Sequence, residues 1–159
     1  MSGLFNIGFD SSIELLGKIK RDRETLKNAI ILQEQPLLKD SVMNFVLNSY
    51  SIKDWLKREG YSEVENYIND NIELRICADL CNGAKHKVLT SRRQDDDHIK
   101  TVEPSGIRAS SMAYTAGSPV RVNSLTYEIQ LESGRTFEIL HFANRVIELW
   151  EILLTESIN

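Results

Sequence analysis

A chain of 159 residues, 42% hydrophobic and 26% charged, has the balance of one globular domain with a sizeable core, not of a disordered segment. Its net charge of −4 argues against broad, non-specific nucleic-acid binding, which needs a basic face, but leaves room for a small RNA site. No run approaches about 18 apolar residues, so no transmembrane helix and no membrane partner are expected.

The first ten residues lack a basic region followed by a long apolar core and do not read as a signal peptide. Residues 1–9 are apolar and contain glycine, as a tail that docks on a core would. Asp10, Ser11 and Ser12 are N-cap candidates. Ile13, Leu16, Ile19, Leu26 and Ile30 then recur at helical spacing, which predicts a helix over residues 11–33, stopped before Pro36. A second helix is expected over 36–58, with Pro36 in its first turn and Leu38, Val42, Phe45, Val46, Ser49, Ile52 and Leu56 on one face. Gly60 is a stop signal. Ser62 and Glu65 fit a capping box opening a short helix to about Asn69. Asp70 or Asn71 opens another, reaching about Leu89.

That last helix carries the most chemically distinctive stretch, Arg75-Ile76-Cys77-Ala78-Asp79-Leu80-Cys81-Asn82-Gly83-Ala84-Lys85-His86. At about 100° per residue, Arg75, Asp79, Asn82 and His86 fall within roughly 60° of one another. Cys77, Cys81, Ala84 and Val88 fall on the opposite side. The polar stripe reads either as a solvated face supported by i,i+4 pairs or as a site. In the second case His86 serves as general base with Asn82, Arg75 and Asp79 bind, and Lys85 and Lys87 attract an anion. Gly83 either ends the helix early or permits a close backbone approach. The two cysteines and His86 point to opposite faces, so the cysteines read as buried, reduced thiols of a cytoplasmic protein, with no metal and no cofactor.

Residues 91–98 are charged and read as a solvated loop, Arg92 and Arg93 being balanced by Asp95, Asp96 and Asp97. Residues 99–103 and 107–114 hold strand-like alternations interrupted by Pro104, Gly106, Gly117 and Pro119. Residues 120–132 form a better strand, with Leu125, Tyr127, Ile129 and Leu131 alternating against polar residues. A two-residue Ser133-Gly134 turn leads to a return strand over 136–142. A closing helix over 142–155 presents Ala143, Val146, Ile147, Trp150, Leu153 and Leu154. Trp55 and Trp150 read as core anchors. The order predicts an α+β fold in one domain, residues 1–159. A bundle of three to four helices spans about 10–90, and a small antiparallel sheet with its closing helix spans about 99–156.

Two resemblances follow from these residues. Ser51-Ile52-Lys53-Asp54-Trp55-Leu56-Lys57, followed by Cys77-Ala78-Asp79-Leu80-Cys81-Asn82-Gly83-Ala84-Lys85-His86, resembles a family of uncharacterised bacterial proteins in which an aromatic-x-DW helix precedes an ADxxNxxKH helix. That similarity implies a shared fold over most of the chain and no assigned activity. Asn82 and His86 also resemble the later part of the ribonuclease motif of HEPN helical domains from bacterial defence and toxin–antitoxin systems. The motif's arginine position holds Cys81, and Arg75 lies about 16 Å back from His86 along a straight helix. The expected function is therefore that of a small non-catalytic protein acting through a protein partner or as a homodimer. The alternative is a HEPN-like RNA-binding protein or ribonuclease using Asn82 and His86.

Overall fold

The computed structural model describes residues 8–86, 92–93, 96–107, 113–115, 118–120 and 124–156. Helix α1 (Ser12–Leu32) starts where its sequence signals it. Ser11 is extended and its hydroxyl accepts the Glu14 amide at 3.2 Å, while Glu14 accepts the Asp10 amide at 3.0 Å. It ends at Gln33, whose left-handed backbone (φ 57°) returns its amide to the Ala29 and Ile30 carbonyls. Helix α2 (Gln35–Arg58) runs back along α1 with Pro36 in its first turn. Glu59, just past α2, accepts both the amide (2.6 Å) and the hydroxyl (2.5 Å) of fully buried Ser12, so the end of one helix caps the start of the other.

The capping box expected at Ser62 does not form. Helix α3 (Val64–Asp70) begins two residues later, its cap position Glu63 makes no side-chain cap bond, and Ser62 is exposed. Val64 and Ile68 are both fully buried and set where the helix starts, and Glu65 is drawn away to cations on other elements. Helix α4 (Ile72–His86) continues through Gly83, and a Cβ there would meet nothing within 4 Å. Gly83 therefore neither ends the helix nor serves a close approach. Residues 87–90, including Lys87 and Val88, lie outside the described residues.

Strands β1 (Ile99–Ile107), β4 (Ser124–Leu131) and β5 (Thr136–Glu138) form an antiparallel sheet in the order β1-β4-β5, and β2 (Ala113–Thr115) pairs with β3 (Ser118–Val120). The expected break at Pro104 and Gly106 is absent: β1 runs through both, with Pro104 opposite Tyr127. As an edge strand, β1 tolerates a residue lacking an amide proton. The expected strand over 120–132 is divided between β3 and β4, with 121–123 outside the described residues.

The β4–β5 turn is longer than the two residues expected. Leu131 donates to the Arg135 carbonyl (2.9 Å), and Gly134 sits at φ 89° and donates to the Leu131 carbonyl (3.0 Å). The acidic run is not wholly solvated, because Asp97 accepts the amide (2.8 Å) and hydroxyl (2.6 Å) of Ser133 and so braces this turn. The return strand also stops earlier than expected. Helix α5 (Ile139–Glu156) takes over at Ile139, and Glu138 accepts the His141 amide at 2.8 Å, satisfying a first-turn donor.

The core lies where α1, α2, α4 and α5 meet the inner face of β4. Its largest fully buried side chains are Trp150, Phe45 and Phe142, with Ile129 and Leu131 contributed by the sheet. The α+β order is as expected, a helical N-terminal part followed by a small antiparallel sheet and a closing helix.

Candidate functional site

The polar stripe of α4 divides along the helix axis, not around it. Leu74, Ile76, Cys77, Ala78, Asp79 and Cys81 are all buried although they point in every direction, whereas Ala84, Lys85 and His86 are exposed at the open end. Ala84 is therefore not part of an apolar face continuous with the cysteines. The thiols of Cys77 and Cys81 are both pushed up by burial; for Cys81, nearby Lys85 opposes the shift. Such thiols stay protonated and unreactive near neutral pH.

Asp79 is 3% exposed, and one carboxylate oxygen accepts the backbone N–H of Arg93 at 2.8 Å. That bond ties the Arg93 backbone to α4. The Arg93 guanidinium then donates to Tyr50 Oη (3.2 Å), to Asn69 Oδ1 (2.9 Å) and to the Glu65 carboxylate. Glu65 also pairs with Lys57 and lies 3.8 Å from Lys53. Lys53 donates to Tyr50 Oη at 2.9 Å and sits 4.3 Å from the centre of its ring. Alongside, Arg75 donates to the Asn69 carbonyl at 2.6 Å and lies 4.0 Å from Asp96.

Three cations thus converge on the Glu65 carboxyl. Partial burial alone would push its pKa up; hydrogen bonds from Lys57 and Arg93 and the nearby charges outweigh that and hold it at about 2. A carboxyl whose folded pKa is depressed contributes stability above its unfolded value, and that contribution is lost as pH falls through the folded value. Glu65 is therefore expected to contribute down to about pH 4.5 and to lose its contribution between there and about pH 2. With a side chain one-third exposed, solvent screening limits this to about 1–2 kcal/mol. Urea midpoints measured from pH 7 to 2.5 should show a component of acid destabilisation that Glu65→Gln lacks.

Of the five residues singled out in sequence, Arg75 and Asp79 act together, each holding part of the segment that follows α4. Asn82 is half-buried, and Lys85 and His86 lie about 9–10 Å from Asp79 along the helix. The structure does not bring His86 to Asp79. Tyr50, Lys53, Glu65, Asn69 and Arg93 were not anticipated. One local signal for three partners was present, since Tyr50, Lys53 and Lys57 at i, i+3 and i+7 share a face of α2. Beside the cluster, Asp79, Leu80, Gly83, Ala84, Arg92 and Ile99 line a cavity of about 270 Å³. A second, more apolar groove of about 340 Å³ runs between α2, α4 and the sheet. Comparison of the chain with protein-family models, with curated proteins and with solved structures finds no match.

Proposed function

We propose that the protein is a non-catalytic interaction protein that works as a homodimer. The observation that carries this reading is that one helical hairpin holds both an exposed apolar pair and an apolar groove. At the end of α1, Ile31 and Leu32 stand 66% and 60% exposed. On α2, Val42, Val46 and the 43%-exposed Met43 border the apolar groove, which Leu80, Ala84, Val102, Pro104 and Tyr127 complete. Knob and groove lie roughly 12–15 Å apart along α2, so a two-fold axis lets each copy's knob enter its partner's groove. Glu34, beside the knob, then faces Lys39, which lines the groove. The engagement of Asp79, Arg93 and Glu65 in internal bonds also supports a non-catalytic role.

Sedimentation velocity or light scattering at tens of micromolar should report a dimer. Leu32→Asp and Met43→Asp, both at exposed positions, should weaken it about 100-fold without changing the circular dichroism spectrum. A chain that stays monomeric, or a dimer indifferent to both substitutions, overturns the reading.

A second reading, a HEPN-like RNA-acting protein of a phage-defence or toxin–antitoxin system, is favoured by one arrangement. Asn82 and His86 lie one turn apart at the open end of α4, with Lys85 alongside and Arg92 lining the nearby cavity. On that reading His86→Ala abolishes RNA cleavage or toxicity while the fold persists. Purified protein that neither binds nor cuts RNA ends it.

A further inference from the structure

We propose that Tyr50, Lys53, Lys57, Asn69 and Arg93 form a binding site for a compact dianionic oxyanion, a phosphate or terminal phosphomonoester, whose place the Glu65 carboxylate holds in the free protein. The cradle draws on three separate parts of the fold: Tyr50, Lys53 and Lys57 from one face of α2, Asn69 from α3, and Arg93 from the segment after α4. Among the described residues, the side chains of Lys53, Lys57 and Arg93 converge on the Glu65 carboxylate there, within a chain whose net charge is −4. Asp79 is spent on the Arg93 backbone amide, so the guanidinium itself is aimed by Tyr50, Asn69 and Glu65.

A guanidinium fork beside two ammonium groups suits a tetrahedral oxyanion at least as well as a single carboxylate. Tyr50 adds a donor. Its oxygen accepts from both Lys53 and Arg93, so its own proton is directed away from them, towards whatever acceptor enters. Partial burial of the cations favours a small ligand: the Lys53 and Arg93 side chains are only 17% and 24% exposed, whereas Glu65 is 34% exposed and can swing into solvent on its own side-chain torsions. The ligand therefore competes with an internal carboxylate, which lowers its apparent affinity in the parent protein.

The test is calorimetric titration of inorganic phosphate, against chloride at equal ionic strength, into the parent chain, Glu65→Gln and the Glu65→Gln/Lys57→Gln double variant. Glu65→Gln should bind phosphate about tenfold more tightly than the parent, and the double variant should lose that gain. Phosphate behaving like chloride in Glu65→Gln, or a gain that survives Lys57→Gln, overturns the proposal. Should Glu65→Gln fail to fold, ³¹P line broadening in the parent decides: broadening abolished by Lys57→Gln supports the site, and its absence overturns it. A nucleoside 5′-monophosphate should displace phosphate. An RNA oligonucleotide with internal phosphodiesters alone should not, and its doing so at lower concentration would assign the cations to a nucleic-acid backbone instead.

Discussion

Asp79→Ala lowers the stability of the protein by about 2–3 kcal/mol, whereas Asp79→Asn costs about 1 kcal/mol. The difference rests on what the carboxylate does. Asp79 is almost wholly buried in the middle of α4, and its oxygen accepts the Arg93 amide at 2.8 Å. Truncation removes a charge-assisted bond and leaves that amide without its acceptor, and it releases the segment whose guanidinium holds Tyr50, Asn69 and Glu65. Relief of a buried charge returns part of the cost. Asparagine keeps an oxygen at the same place, and with it the clasp. Urea denaturation gives the two stabilities, and amide exchange at Arg93 gives the local effect, which should be faster in the alanine variant than global stability alone predicts. An alanine variant as stable as the parent would show that the clasp contributes nothing.

Trp150→Ala is the most damaging single change expected, at about 3–5 kcal/mol. Trp150 is 1% exposed and is the largest fully buried side chain; its ring centre lies 6.3 Å from that of Tyr67, whose hydroxyl in turn donates to the Leu149 carbonyl at 2.7 Å. A domain of this size has a total stability of about 5–15 kcal/mol, so the alanine variant should lie close to its unfolding threshold. Trp150→Phe should cost only about 1 kcal/mol. The indole Nε1 is buried with no hydrogen-bond partner among the described residues, so phenylalanine discards an unsatisfied donor along with some volume. Thermal unfolding ranks the three proteins. With two tryptophans in the chain, Trp150→Phe leaves only half-buried Trp55, and the emission should shift to the red. A phenylalanine variant as unstable as the alanine one would mean that indole volume, not the general aromatic fill, sustains the core.

The helices most readable in sequence are those whose apolar residues repeat at helical spacing over five or six turns. α1 and α2 lie within about one residue of their expected limits because period, cap and proline are all local signals. The start of α5 was less readable: residues 136–139 alternate as a strand would, and the helix takes over at Ile139, where the Glu138 side chain accepts the His141 amide. At the candidate site, Arg75, Asp79, Asn82 and His86 do share one angular sector of α4. Angle, however, says nothing about depth along the axis. Neighbouring helices bury Asp79 and leave His86 in solvent.

The two arginines at 92 and 93 show the same division. Beside three aspartates they read as locally neutralised, yet Arg93 pairs with Glu65, 28 residues earlier, and Arg75 reaches towards Asp96. Sequence alone determined the α+β order, the long helices, the β4–β5 hairpin and the burial of Cys77, Cys81 and Trp150, because each is set by side-chain periodicity over a short stretch of chain. The tertiary structure alone decided which charges meet at the Glu65 cluster and which polar groups are buried. Those depend on what lies across the fold from each side chain, and no spacing along the chain encodes that distance.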